Sequence, residues 1–305
     1  MKRVSKRFVI FLAAVALVET ACTCSASALG RLWGEFETDF RTVSSRDENE
    51  TGVHEVEMRL NYQASKNSTL FVNVEREEDE NEIKEAYLDT KRKGLAVRAG
   101  KFRTPFGIHQ PAEIDYFGFI NRPIAKDAPA AGMSLSRASN GVRFSTGKPE
   151  MEIQLSILDG TEEMNSAVGR NVLFRAQRYA GHLITGFNAY QGHNADAQRF
   201  NVWGVDWRYS KPHLIVRGEA LKGSLGPDRL QGGYVDVFYH FATIPALTLF
   251  ARMEALSENS TRAVTGGCKY VLSRKSTLNV NWRRISSSGA ESSEVAVQLL
   301  TFYGF

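Results

Sequence analysis

Trp203-Gly204-Val205-Asp206-Trp207-Arg208-Tyr209 puts a large apolar side chain at every second position, with small or charged residues between them. Successive side chains of an extended chain point to opposite faces, so a period of two makes one face apolar and the other polar. The pattern recurs along the chain. Phe36, Thr38 and Phe40 alternate with Glu35, Glu37, Asp39 and Arg41, and Val56, Met58, Leu60 and Tyr62 alternate with Glu55, Glu57, Arg59 and Asn61. Met151, Ile153, Leu155 and Ile157 face away from Glu152, Gln154 and Ser156, as Leu278, Val280 and Trp282 do from Asn279, Asn281 and Arg283. No stretch of similar length keeps a helical repeat.

Such segments predict about 16 strands, the first near 32–43 and the last near 293–305. About 10 residues at roughly 3.3 Å per residue, tilted about 45°, cross some ~23 Å, close to the apolar band of an outer-membrane barrel. Short turns at 65–68, 147–150, 210–212 and 273–275 trade places with longer polar loops at 44–52, 159–169, 223–230 and 285–292. That alternation of periplasmic turns and external loops predicts an all-β, transmembrane antiparallel barrel. A soluble sandwich is the competing architecture. The polar face is charged strand after strand, and the spacing offers only hairpins, both of which favour the barrel.

Composition is compatible with this and excludes much else. The 305 residues carry 38 Lys+Arg against 34 Asp+Glu, a net charge of +4, too balanced for a dedicated nucleic-acid binder. With 43% hydrophobic residues and a mean hydropathy of −0.29, the chain lacks the long apolar runs of a helical membrane protein. Lys2, Arg3, Lys6 and Arg7 precede an apolar stretch from Phe8 to Val18, and Ala26-Ser27-Ala28 supplies a cleavage site. Residues 1–28 therefore read as a secretory signal peptide and 29–305 as the barrel domain. Cys22 and Cys24 leave with the leader, so Cys268 has no partner for a disulfide or a metal site.

One connection stands apart, from Arg103 to Asn140. Loops beyond about 15 residues are uncommon unless functional or disordered, and this one carries Phe106, Tyr116, Phe117, Phe119 and Ile120. Those side chains are expected to anchor it on the inner wall, where it narrows the lumen. Glu113, Asp115 and Asp127 on the loop are the expected acidic side of a constriction. Lys101 and Arg103 stand at its root, and strand parity points Arg143, Arg175, Arg208 and Arg217 inward to face it. Residues 29–168 have a net charge of −6 and residues 169–305 of +7, which predicts lumen walls of opposite sign. The runs 46–50 and 75–82 are expected to be solvated external faces. Trp203, Trp207, Tyr209, Tyr239, Tyr270, Trp282 and Tyr303 fit aromatic girdles at the two membrane interfaces. The last strand ends Val295, Val297, Leu299, Thr301, Tyr303, Phe305, and this aromatic terminus resembles the signal that the barrel-assembly machinery reads as an added strand.

Glu85-Ala86-Tyr87-Leu88-Asp89 is followed by Arg98-Ala99-Gly100-Lys101-Phe102-Arg103-Thr104-Pro105-Phe106-Gly107. The pair resembles the outer-membrane porins of the phosphate-selective O and P family, as does Gly218-Glu219-Ala220. The resemblance implies a bacterial outer-membrane channel, trimeric, for small hydrophilic solutes or ions, with anions or phosphate as the candidate favourites. The long connection is then the third external loop, which folds inward in general porins. No His-Glu-x-x-His, Gly-x-Ser-x-Gly or Gly-Lys-Ser/Thr motif points to an enzyme. His54, His109, His182, His193, His213 and His240 are scattered, and neither a metal nor a cofactor is expected. The alternative is a structural or adhesive outer-membrane barrel whose lumen is plugged.

Overall fold

The computed structural model describes residues 30–45, 49–77, 80–108, 118–127, 134–161, 171–194, 198–257 and 260–304. The leader, Glu113, Asp115, Tyr116 and Phe305 lie outside them, and of Asp127 only the backbone is described. Strands β1 (Arg31–Ser45), β2 (Asn49–Ser65), β3 (Ser68–Glu77), β4 (Glu80–Arg92) and β5 (Leu95–Arg103) precede a single helical turn, α1 (Ile124–Asp127). Then follow β6 (Ala138–Lys148), β7 (Met151–Thr161), β8 (Asn171–Ala180), β9 (Leu183–His193), β10 (Arg199–Lys211) and β11 (Leu214–Leu225). The chain ends with β12 (Asp228–His240), β13 (Leu247–Leu256), β14 (Thr261–Ser273), β15 (Ser276–Ser287) and β16 (Ala290–Gly304). Each strand pairs antiparallel with its neighbours in sequence, and β1 pairs with β16 from Glu35↔Gly304 to Ser45↔Glu294, closing a 16-strand barrel. Closure leaves no unpaired edge, which a membrane-spanning sheet requires.

The outward face is the apolar one. Phe187, Trp203, Val205, Val237, Leu249, Val264, Trp282 and Leu299 are all more than a third exposed. On alternate positions of the same strands, Asn188, Asp206, Asp236, Thr265, Asn281 and Gln298 are buried inside. A sheet turned this way meets lipid with hydrocarbon and encloses its hydrogen-bonding groups.

Two expectations are corrected. The polar stretches 223–230 and 285–292 are not long loops: β11 and β12 run to within two residues of each other, and β15 and β16 meet at Ser288-Gly289. Both central residues of that turn have positive φ (48° and 86°), the type I′ geometry matched to strand twist. Alternation vanishes there because neither face touches lipid, while the backbone ladder continues upward regardless. Likewise Glu75, expected on a solvated external run, is 5% exposed on the inner wall and paired with Lys84 at 2.7 Å.

The inner wall is not uniformly polar. Leu158, Leu173, Tyr190, Phe200, Val202, Leu221, Leu225 and Leu230 form a buried cluster with Phe102, Phe106, Ala125 and Leu135 of the β5–β6 connection and its approach. A second cluster joins Phe119 to Phe238 and Phe250, with ring centroids 5.4 Å and 4.6 Å apart. Burying these side chains against the wall offsets the entropy of ordering the described parts of the connection.

Candidate functional site

The described parts of the connection between β5 and β6 are held across the barrel by polar contacts on five other strands. Gly107 N donates to Asn188 Oδ1 of β9 at 3.0 Å, and Ile108 N to Glu219 Oε1 of β11 at 2.9 Å. Farther along, Asn281 of β15 accepts from Ile120 N (3.3 Å) and donates to the Gly118 carbonyl (2.9 Å). Glu294 of β16 accepts from Asn121 Nδ2 at 2.7 Å, and Glu254 of β13 from Ile124 N at 2.7 Å. Gly107 has φ +71°, and a side chain there would collide with the Glu219 carboxylate, so this close approach needs a glycine.

Glu219 is the centre of this anchorage. It also accepts from Tyr234 Oη at 2.8 Å and pairs with Lys126 of α1 at 3.2 Å. Lys126 is fully buried and donates to the Phe106 carbonyl. Burial pushes its ammonium below the ordinary lysine range, and the Glu219 carboxylate opposes that shift.

Beneath residues 104–108 opens a cavity of about 600 Å³ lined by Arg59, Arg98, Arg103, Arg143, Arg175 and Arg208, with Glu85 and Glu152 as its only carboxylates among the described residues. It shares Glu152 and Tyr179 with an opening of about 620 Å³ bordered by the β4–β5 and β6–β7 turns, so it faces the short-turn end of the barrel. In two of its ion pairs the arginine is more exposed than the acid it holds. The Arg59 side chain is 19% exposed against 4% for Glu57, and Arg103 is 15% exposed against 5% for Glu85.

Of the residues expected at a constriction, Arg103, Arg143, Arg175 and Arg208 line this cavity. Lys101 instead pairs with Glu82 at 3.0 Å. Arg217 lies in the inner wall, 2% exposed, bonded to Asp236 at 2.8 Å and away from the chamber. Arg59 and Arg98 were not singled out from the sequence, although both occupy polar-face positions; parity gives the face but not the depth. Arg98 grips Asp89 with two bonds (2.8 Å and 2.7 Å) and stacks 3.7 Å over Tyr87.

The expected walls of opposite sign are corrected in part. Buried acids do line β1–β4, at Glu37, Asp39, Glu57, Glu75 and Glu85, but each is paired with a cation, Arg41, Arg59, Lys84 or Arg103. Across the lumen three arginines of β8–β13 have carboxylates in contact: Arg175 pairs with Asp206, and Arg217 and Arg252 share Asp236. Charges enclosed at low dielectric need partners within contact distance, and the wall supplies them strand by strand. All seven aromatics expected in the girdles have outward parity, Trp203, Tyr239, Tyr270, Trp282 and Tyr303 exposed and Trp207 and Tyr209 half-buried. Tyr209, Tyr239, Tyr270 and Tyr303 lie near the short-turn ends of their strands, whereas Trp203 and Trp282 lie nearer mid-strand.

The family model described as phosphate-selective porin O and P matches residues 48–211, just over half of the chain. The chain belongs to that family. It is an outer-membrane porin, placed in the bacterial outer membrane. Comparison with curated protein sequences gives no match. Among solved structures, the anion-selective porin from Comamonas acidovorans is similar in fold, at 13% identity and a TM-score of 0.68 over 90% of this chain and 99% of that one. OmpT of Vibrio cholerae in its trimer form gives 12% identity and 0.63 over 90% and 99%. A mutant of the Rh. blastica porin gives 13% and 0.67 over 90% and 100%. The porin therefore shares its fold with solved porins at only 12–13% sequence identity.

Proposed function

We propose that this porin passes small hydrophilic solutes by diffusion and prefers anions, phosphate among them, without catalysing a reaction. The observation that carries the reading is the chamber ringed by six arginines, whose field attracts anions and penalises cations at short range. The β5–β6 connection is read as a third external loop folded into the lumen, with Glu113, Asp115 and Asp127 on its constricting edge opposite Arg143, Arg175 and Arg208. Its contacts on β9, β11, β13, β15 and β16 support that reading. The similar solved porins, one described as anion-selective and one as a trimer, support anion preference and a homotrimer here.

Residues 1–28 would be removed on export. Tyr303 and Phe305 would present the closing strand to the barrel-assembly machinery, and the outward tyrosines and tryptophans would sit at the lipid interfaces. A plugged structural barrel is the second reading, favoured by the apolar cluster packed on the inner wall of β7–β12. Planar-bilayer recording separates the two: stepwise ohmic conductance with a reversal potential on the chloride side in a KCl gradient supports the porin reading, and a silent bilayer supports the plug.

A further inference from the structure

Away from the short turns, the lipid-facing side of β10–β15 ends in cations. Outward positions alternate along each strand, and the register aligns them between strands. On β14 the outward position beyond Val264 is Arg262, on β15 the one beyond Trp282 is Arg284, and on β11 the one beyond Ala220 is Lys222. Lys222 stands beside Trp203 in the ladder. Arg229 of β12 is its diagonal neighbour, since Lys222 pairs with Gln231 and Ser224 with Arg229. Arg262 and Arg284 are diagonal neighbours in the same way, roughly 7–8 Å apart. Arg199, two outward positions beyond Trp203 on β10, completes the group, and all five side chains are exposed.

Two observations set this band apart from ordinary surface charge. Among the described residues, no outward position of β9–β15 carries a carboxylate. Arg284 contacts Glu291 of β16 at 2.5 Å, but this pair is more than half exposed and so contributes little. Arg199, Lys222, Arg229 and Arg262 make no side-chain hydrogen bond or ion pair among the described residues. The second observation is position. Tyr270 and Arg262 lie eight residues apart on β14, which spans about 19 Å along the membrane normal at a tilt near 45°. Both side chains are long enough to extend that distance toward the roughly 25 Å of a barrel's apolar band. The tyrosines therefore mark one border of the hydrocarbon and the cations the other, with Trp203 and Trp282 next to Lys222 and Arg284.

We propose that Lys222, Arg229, Arg262 and Arg284, with Arg199, bind the phosphate groups of anionic lipid in the leaflet opposite the short turns. Arginine forks match phosphate oxygens, and two diagonal guanidinium groups can clasp one phosphate from both sides. The source is lipid rather than a free solute, because the surface directly below these cations is hydrocarbon and meets acyl chains. Paired strands, not loops, carry the side chains, so the site is held ready before the lipid arrives. The inference concerns the outer surface of the barrel and does not depend on which solute the pore passes.

The test is binding of radiolabelled lipid A, a glycolipid with two phosphates, to the folded porin in non-ionic detergent, read as label co-eluting with protein over a lipid titration. The wild type is expected to hold lipid A more tightly than the same lipid stripped of phosphate, and to release it as salt is raised. Lys222→Gln/Arg229→Gln/Arg262→Gln should weaken binding at least about tenfold, at roughly a factor of five per interfacial cation. Lys66→Gln/Arg274→Gln/Lys275→Gln removes the same charge from exposed positions at the short turns and should bind as the wild type does. The heat-induced mobility change in gels checks that both variants are folded. Should the first variant fail that check, the wild-type comparison of the two lipids decides alone. The proposal is overturned if the wild type holds the phosphate-free lipid equally well, or if the two folded variants bind lipid A alike. Silence of the channel in bilayers would sink the transport reading and leave this result untouched.

Discussion

Arg175 and Asp206 meet on the inner wall across β9, with Arg175 Nη1 at 2.7 Å from Asp206 Oδ2 and Nη2 at 3.1 Å from Oδ1. Asn188, on the strand between them, donates to Asp206 at 2.8 Å and accepts from Arg175 at 2.7 Å. Two strands' worth of charge is thus locked behind a third, yet the guanidinium still borders the arginine-lined chamber. Asp206→Asn removes the neutralising charge and keeps the shape. The reversal potential in a KCl gradient should move further toward that of chloride. A move toward potassium would contradict the electrostatic role assigned to Arg175.

Glu219 accepts from Ile108 N and Tyr234 and pairs with Lys126. Glu219→Ala should leave a buried ammonium without its carboxylate, a cost of about 3–5 kcal/mol. Expected readouts are a lower temperature for the heat-induced mobility change in detergent gels and noisier single-channel current as the connection loosens.

Phe119 stacks with Phe238 and Phe250 while the Arg252 guanidinium lies 3.8 Å over its ring. Phe119→Ala should cost about 3–5 kcal/mol in local packing. Limited proteolysis of the β5–β6 connection should then proceed faster than in the wild type, at an unchanged strand content by circular dichroism.

Lys126 titrates below the ordinary lysine value because it is buried. At a pH between its folded value and about 10.4, the unfolded chain carries more protons than the folded one, so stability rises with pH across that window. Below the folded value, the full cost of burying the ammonium is present. Lys126→Met removes this dependence. The difference in unfolding midpoint, wild type minus variant, should increase as pH is raised on the alkaline side, and a flat difference would refute the shift.

How far the sequence carried this reading depends on what each face of a strand touches. Where the outside meets lipid, as at Trp203, Val205 and Trp207, alternation marks the strand plainly. Above the membrane, Ser286, Ser287, Ala290 and Glu291 pair in the ladder with no apolar face to reveal it. The arginines of the chamber were legible as a face, since Arg143, Arg175 and Arg208 hold inward parity. Depth was not, which is why Arg217 is buried against Asp236 away from the chamber and Arg59 lines it. The pairing of Lys126 with Glu219 depends on register and loop placement, which local pattern does not encode.

The most direct test is the reversal potential of single channels in a planar bilayer under a KCl gradient, for the wild type and for Arg98→Gln/Arg143→Gln/Arg208→Gln. An arginine-lined passage predicts ohmic steps with chloride preferred in the wild type and a shift toward potassium in the variant. Cation preference in the wild type, or an identical potential in the two proteins, would contradict it.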